Sequence, residues 1–406
     1  MSADSPSRPT AGAPRVVPAS SPREGKPPFL VFGRPVLGEE EAAAVQRVLD
    51  SRWLGTGPRV AEFERAFKAY RRAPHAMAVG SCTAALLLSI VAAGIGPGDE
   101  VITTAMTFCA TVNAVINAGG TPVVVDVDPV TQNIDPEAIR RAITPRTKAI
   151  LCVHFAGRPC AMDALEKLAA EHGLLLIEDC AHAIETEWRG RAAGTIGAFG
   201  CFSFYATKNI TTGEGGMVLA RRKDDAARIQ RLALHGMSAD AWKRFSDEGY
   251  KHYYVVDRGF KCNMMDLQAA IGLVQLQRIE EHYVRRQRIW RSYMERLADL
   301  PLTLPAPEEA DTRHALHLFT VLIDERASGK KRDDVLTSMT KDGIGLGVHY
   351  LALPEHPFYR DRYGWRPEQV PVATEIGRRT LSLPMQADLT DDDVDRVVAS
   401  LHRALA

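Results

Sequence analysis

"LLLIEDCAHA", residues 174–183, is apolar on four consecutive positions and then becomes acidic within one step. A strand with one wet face would alternate, so an unbroken run from Leu174 to Ile177 suits a strand covered by helices on both faces. Such strands build parallel sheets, in which ligands gather beyond the carboxyl ends of the strands. Glu178, Asp179 and His182 stand at that end. A carboxylate in so apolar a place is costly without a cation beside it. A protonated pyridine nitrogen would be one, and an arginine another.

Outward from this stretch the chain alternates. "HAMAVG" (75–80), "DEVITT" (99–104), "TPVVVDVD" (121–128) and "TKAILCVHFAG" (147–157) read as strands, and "SCTAALLLSIVAAGI" (81–95), "FCATVNAVINAG" (108–119), "DPEAIRRAI" (135–143) and "DALEKLAAEHG" (163–173) as helices. Upstream, one helix starts at Glu39 with Ala43, Val45, Val48 and Leu49 as its apolar stripe. The loop "SRWLGTGPR" follows, then a second helix through Phe63, Phe67 and Tyr70. "GAFGCFSFYATKN" and "GGMVLARR" leave no room for a crossover helix and should pair as antiparallel neighbours. A single long helix is expected from about Asp266 to Ala298, followed by a small α+β unit. The fold class is therefore α/β: a large domain over 29–278 with a mostly parallel sheet between helices, and a smaller C-terminal α+β domain over 279–406.

The chain has 406 residues, 46% of them hydrophobic, and its 50 basic residues balance 50 acidic ones. No single-sign field invites nucleic acid or an anionic membrane, and no apolar run is long enough to span one. Residues 1–28, rich in Pro, Ser and Arg without an apolar core, read as a disordered tail rather than a signal peptide. Seven cysteines, an odd number with no C-x-x-C, suit reduced thiols in a cytoplasm. Cys152/His154 and Cys180/His182 imply no tight ligand set, so no metal is expected.

Four strand ends carry unusual residues. Gly80, Ser81 and Thr83 lie where a strand turns into a helix, a seat for phosphate on free N–H groups and hydroxyls. Asp179 could face a ring nitrogen, and Phe108 could stack on a ring. Lys208, between apolar strand residues and "TTGEGG", would be partly desolvated, which favours the neutral, nucleophilic amine and a Schiff base. Each alone has an ordinary reading: a helix cap, an Arg-paired acid, a core ring, an exposed lysine. Together they are the parts list for pyridoxal 5'-phosphate. The first turn is neither G-x-G-x-x-G nor a P-loop, which argues against an NAD enzyme.

With these residues in hand, the chain from about Phe32 onward resembles the DegT/DnrJ/StrS family of fold-type I aminotransferases. "WLGTGP", "GIGPGDEVIT", "GGTPVVVDVD", "LIEDCAHA", "FSFYATKNITTGEGG" and "GFKCNMMDLQAAIGLVQL" carry the likeness. The resemblance implies that Lys208 holds the cofactor covalently, Asp179 partners its ring nitrogen and Phe108 stacks on it. Thr83, Ala84 and Ser203 fall at phosphate-binding positions. Asn263 matches a residue reaching the phosphate in the neighbouring subunit, so a homodimer with shared active sites is implied. His182 lies close to the ring, and the loops carrying Trp53, Thr56 and His349 are expected around the sugar.

Members with D-x-A-H at the Asp179–His182 position resemble C4 aminotransferases. "ITPRTKAI", "ATKNIT" and "HGMSADAW" are most similar to the branch acting on a UDP-linked 4-keto pentose, although that branch has tryptophan at Phe108 and a tyrosine before Asn263. The expected reaction is ping-pong transfer of an amino group from L-glutamate, leaving 2-oxoglutarate, to a nucleotide-linked 4-keto sugar. A C3-keto sugar or cyclitol aminotransferase keeps the same catalytic residues. A sugar 3-dehydratase would have histidine at Lys208, and a non-catalytic relative should have lost Lys208 or Asp179.

Overall fold

The computed structural model describes residues 28–238 and 252–406; the expected tail, apart from Pro28, and the end of "HGMSADAW" lie outside them. Two helices, α1 (Glu39–Ser51) and α2 (Pro58–Arg71), precede the sheet. Strands and helices then alternate as β1 (His75–Val79), α3 (Cys82–Ala92), β2 (Glu100–Thr104), α4 (Ala110–Asn117), β3 (Thr121–Val125), α5 (Pro136–Ala142), β4 (Thr147–Val153), α6 (Met162–His172) and β5 (Leu175–Asp179). After a two-residue hairpin of β6 (Glu187–Trp188) and β7 (Arg191–Ala192) come β8 (Phe199–Ser203), β9 (Gly216–Ala220) and α7 (Lys223–Ala233). The main sheet runs β1-β9-β8-β5-β4-β2-β3. Its pairs from β8 to β3 are parallel, and β9 is antiparallel to both β8 and β1, as the glycine loop requires.

The two-sided burial read from "LLLI" is realised at Leu176 and Ile177, which face opposite layers, whereas Leu174 is half-buried and Leu175, at the start of the strand, is 37% exposed. Ala149, Leu151 and Ile177 pack with α3 and α7 side chains such as Leu88 and Ile229, while Ile150, Cys152 and Leu176 pack with Ile139, Leu165 and Leu168 of α5 and α6. Full burial of each large aliphatic side chain contributes about 1.5–3 kcal/mol. The carboxyl ends of β2, β4, β5 and β8 therefore emerge from a rigid core on one edge.

Two expectations need correction. The buried face of α1 is Glu41, Ala44 and Val48, not the stripe through Ala43 and Leu49; Leu49 is 45% exposed. Glu41 sets the rotation, capping the Gly38 N–H at 2.8 Å and accepting from Gln275 at 2.8 Å. The long C-terminal helix is two, α8 (Asp266–Gln277) and α9 (Ile279–Arg296), broken at Arg278 with φ −99° and ψ 0°. Arg278 reaches back to Glu40 and Glu41 there. An apolar stripe continues across such a break, so periodicity could not reveal it.

Beyond α9, β10 (Leu302–Thr303), β12 (Phe319–Ile323) and β13 (Thr380–Leu383) form a three-stranded sheet, and β11 (Thr312–Arg313) extends the small β6–β7 hairpin. Trp290 and Tyr293 of α9, Phe319, Leu381 and Leu401 share one core. Leu30 joins it, bridging to Ile344. No described helix is long and apolar enough to cross a membrane.

Candidate active site

Asp179 is the last residue of β5 and 4% exposed. Its Oδ2 accepts from the Thr111 hydroxyl at 2.9 Å and its Oδ1 from the Ala181 N–H at 3.0 Å. Burial raises its carboxyl above the ordinary value, against those two bonds and the charge of Lys208. A cationic ring nitrogen is what this carboxylate lacks. Glu178, one residue earlier, points to the opposite layer. It is fully buried, accepting from His154 Nε2 at 3.0 Å and from the N–H groups of Gly194, Ile196 and Gly197. Burial would raise its carboxyl, but these bonds hold it below the usual range.

Lys208 follows β8. Burial pushes its amine down to about 8, while the neighbouring Cys82 and Asp179 act to hold it up. A far larger share of neutral amine is present near pH 7 than for an exposed lysine.

The turn expected to seat a phosphate lies where β1, β8 and β9 end or begin. Ser81 caps α3, its Oγ accepting from Ala84 N–H at 3.1 Å, while the first-turn N–H groups of Cys82 and Thr83 have no intrahelical partner. Ala84, expected to face phosphate, is thus engaged by Ser81 when the site stands alone. Ser203 pairs across the ladder with Gly216. Gly216 lies so close to the turn that a Cβ there would sit 2.5 Å from the Ser81 carbonyl carbon and 2.7 Å from Cys82 N. This backbone cradle is the observation that fits a phosphorylated cofactor. Gly216→Ala should weaken cofactor binding about tenfold and cost about 1–3 kcal/mol of stability. Cofactor titration with thermal melts reads both, and unaltered binding would remove the phosphate seat from this turn.

Phe108, in the turn before α4, is 59% exposed, with its ring 6.2 Å from that of Tyr350. His182 Nδ1 accepts from the Ala156 N–H at 3.2 Å, leaving the ring proton on Nε2, 3.2 Å from the Tyr350 hydroxyl. Burial, with the charges of Lys208, His317 and His349, pushes His182 well below its usual value. It is a neutral, oriented donor.

An open cleft adjoins Lys208 and is lined by Arg34, His282, Arg286, His317 and His349, with no Asp or Glu in its wall. His349 lines the same cleft as Lys208; its Nδ1 bonds Ser382 Oγ at 2.7 Å, and burial lowers it to about 4. Trp53 and Thr56 are elsewhere. Trp53 Nε1 donates to the Thr56 carbonyl at 3.1 Å, and Thr56 Oγ1 accepts from Asn263 Nδ2 at 2.7 Å, while Asn263 Oδ1 is buried without a partner. These three form a separate group in one chain.

Cys152/His154 and Cys180/His182 do not pair as spaced in the sequence; instead His154, Glu178 and Cys180 bring ligand atoms within 4.8 Å of one another. His154 Nδ1 already accepts from Cys160 N–H and its Nε2 faces Glu178, so the group is hydrogen-bonded within itself. Sequence reasoning missed Thr111 and Tyr350. Thr111 was visible as a polar residue on an apolar helix, and Tyr350 as the neighbour of His349.

The chain matches the DegT/DnrJ/EryC1/StrS aminotransferase family over residues 35–402. It belongs to that family. It is 45% identical over 375 residues to the spore coat polysaccharide biosynthesis protein SpsC of Bacillus subtilis, covering 92% of this chain and 96% of SpsC. Among solved structures it is similar to the PLP form of Spr1654 from Streptococcus pneumoniae (TM-score 0.86, 29% identity, 93% and 98% of the two chains). It is similar also to Helicobacter pylori PseC, an aminotransferase involved in the biosynthesis of pseudoaminic acid (TM-score 0.86, 28% identity, 93% and 99%). As a member of the DegT/DnrJ/EryC1/StrS family, the protein is a pyridoxal-phosphate-dependent sugar aminotransferase of fold type I.

Proposed function

We propose that the protein moves an amino group from L-glutamate to a nucleotide-linked 4-keto sugar. The observation that carries this reading is the cleft beside Lys208, whose wall presents Arg34, Arg286 and neutral histidines and no carboxylate of its own, although Asp388 and Glu185 pair with the two arginines. Both proposed substrates are polyanions, one through its diphosphate and one through two carboxylates, and such a wall favours them over neutral amines or free sugars. D-x-A-H at Asp179–His182 resembles the members that aminate C4, and that resemblance favours C4 over C3.

When bound, pyridoxal phosphate supplies an electron sink for the carbanion at the reacting carbon. Lys208 Nζ would hold the cofactor and, as a neutral amine, would be the group that takes a proton from the donor's α-carbon and returns it to the carbon across the intervening nitrogen. Asp179 keeps a proton on the ring nitrogen. Ser203 and the first turn of α3 would bind the phosphate, Phe108 would cover the ring, and His182 would orient substrate or the cofactor's hydroxyl side through Nε2–H. In the second half the same groups act in reverse on the keto sugar.

On this reading the enzyme is a homodimer. Trp53, Thr56 and Asn263, with its unpartnered Oδ1, serve the neighbouring copy, and the exposed Tyr254 (70%) and Val255 (68%) suit burial in that interface. We divide the chain at Arg278, so that the cleft lies between the 29–278 and 279–406 portions. Seven free cysteines suit a cytoplasmic enzyme of polysaccharide or antibiotic-sugar biosynthesis.

The test is to load the protein with pyridoxamine phosphate and titrate it with a panel of 4-keto and 3-keto sugar nucleotides. Discharge by a 4-keto member, with the new amine at C4, is expected; discharge by 3-keto sugars or cyclitols alone would transfer the protein to the other branch.

A further inference from the structure

Arg286 is a nearly buried cation in the wall of the Lys208 cleft. It rises from α9 and is 3% exposed, and among the described residues only its Nη2 has a hydrogen-bond partner, the fully buried carboxylate of Glu185. Nε is buried with no partner. A guanidinium carries five donors, and leaving buried donors unmade is costly, so this residue is equipped for an acceptor that the chain itself does not provide. Its position is fixed relative to the reagent. Glu185 also accepts from Asn209 Nδ2 at 2.8 Å; Asn209, the residue after Lys208, gives a second bond to the Ala315 carbonyl at 3.0 Å, and its Oδ1 meets His317 Nδ1 at 2.9 Å. Two side chains thus connect the guanidinium to the backbone that carries the lysine.

We infer that Arg286 forms an oxyanion subsite for a carboxylate of the amino-acid donor, with Glu185 as the counterion that holds the guanidinium in place between turnovers. The inference rests on the reading that the donor is a dicarboxylic amino acid. A planar guanidinium matches a carboxylate in two parallel hydrogen bonds. Glu185 already cancels one charge there, so a monoanionic carboxylate suits the place better than a dianionic phosphate.

Calorimetric titration of the cofactor-loaded protein with glutarate, which has no amine to transfer, reads the subsite without turnover. Arg286→Gln alone would strand a buried glutamate, so the informative variant is Glu185→Gln with Arg286→Gln, two amides in place of the pair. Retained visible absorption of the cofactor reports that this variant is folded and loaded. We expect its glutarate dissociation constant to rise about tenfold, the scale of one charge-assisted contact. In Glu185→Gln alone it should fall, because the arginine has lost a competing acceptor. Unchanged affinity in the double variant overturns the subsite. So does weaker binding in Glu185→Gln, the result expected of a purely structural ion pair. Titration with pyrophosphate is the second arm: dependence of pyrophosphate but not glutarate on Arg286 assigns the oxyanion to the sugar nucleotide and overturns the carboxylate assignment. If glutamate proves not to be the donor while glutarate binding still depends on Arg286, the donor reading fails and the subsite stands.

Discussion

Replacing Lys208 with alanine is expected to abolish the visible absorption of covalently held cofactor and to lower turnover by roughly 10³-fold or more, since one residue is both nucleophile and proton carrier. The size of the effect follows from the site. Lys208 is the only lysine in the cleft wall among the described residues, so no neighbouring amine can substitute. Burial lowers it to about 8, and the neutral fraction grows as pH rises through that value. Lys208→Arg, which keeps the charge and loses the nucleophile, should fail as badly. Spectra of the purified variants and single-turnover assays with donor decide the matter; survival of both absorption and turnover in the alanine variant would sink the assignment.

Asp179→Asn should be nearly as damaging while leaving the cofactor bound. The amide is the same size, so the bonds to Thr111 and Ala181 need only reorganise. What disappears is the buried negative charge that, in the role proposed for Asp179, would keep a ring nitrogen protonated. Removing one preorganised electrostatic partner typically costs 10²–10³ in kcat, and that fall is expected here with cofactor affinity changed far less. Stopped-flow measurement of the donor half-reaction separates the two quantities. Turnover close to that of the unaltered enzyme would show that some other group faces the ring.

Where the sequence was informative, burial or backbone geometry had left a mark on residue type. Apolar positions in a row at Leu174 to Ile177 suggested two covered faces, and the structure sends Ile177 to one helical layer and Leu176 to the other, while Leu175 at the strand's start stays exposed. The glycine-rich link between β8 and β9 forbade a crossover, and β9 is antiparallel. Lys208, Asp179 and His182 stood out as candidates because a strand end concentrates whatever chemistry a sheet carries. The turn of α1 about its axis was not legible, because a buried Glu41 satisfied by Gln275 looks, in one dimension, like any surface acid. Arg286 was hidden for the same reason: on α9 it reads as one more basic residue, and only its pairing with Glu185 removes it from solvent. Polar residues buried by long-range partners leave no periodic trace.

The close contact of Gly216 with the Ser81 turn has a bearing on how such an enzyme can diversify. It joins the lysine-bearing hairpin to the phosphate seat through backbone alone, so neither can drift without the other. Part of the cleft wall beyond Lys208 comes instead from the segments at Phe32–Val36 and Met385–Ala387, outside the sheet, while Asn209, Arg286 and His317 tie the rest of it to the lysine-bearing backbone. Changing those two outer segments should therefore alter which sugar enters with less effect on the reacting groups than changing the hairpin or its turn.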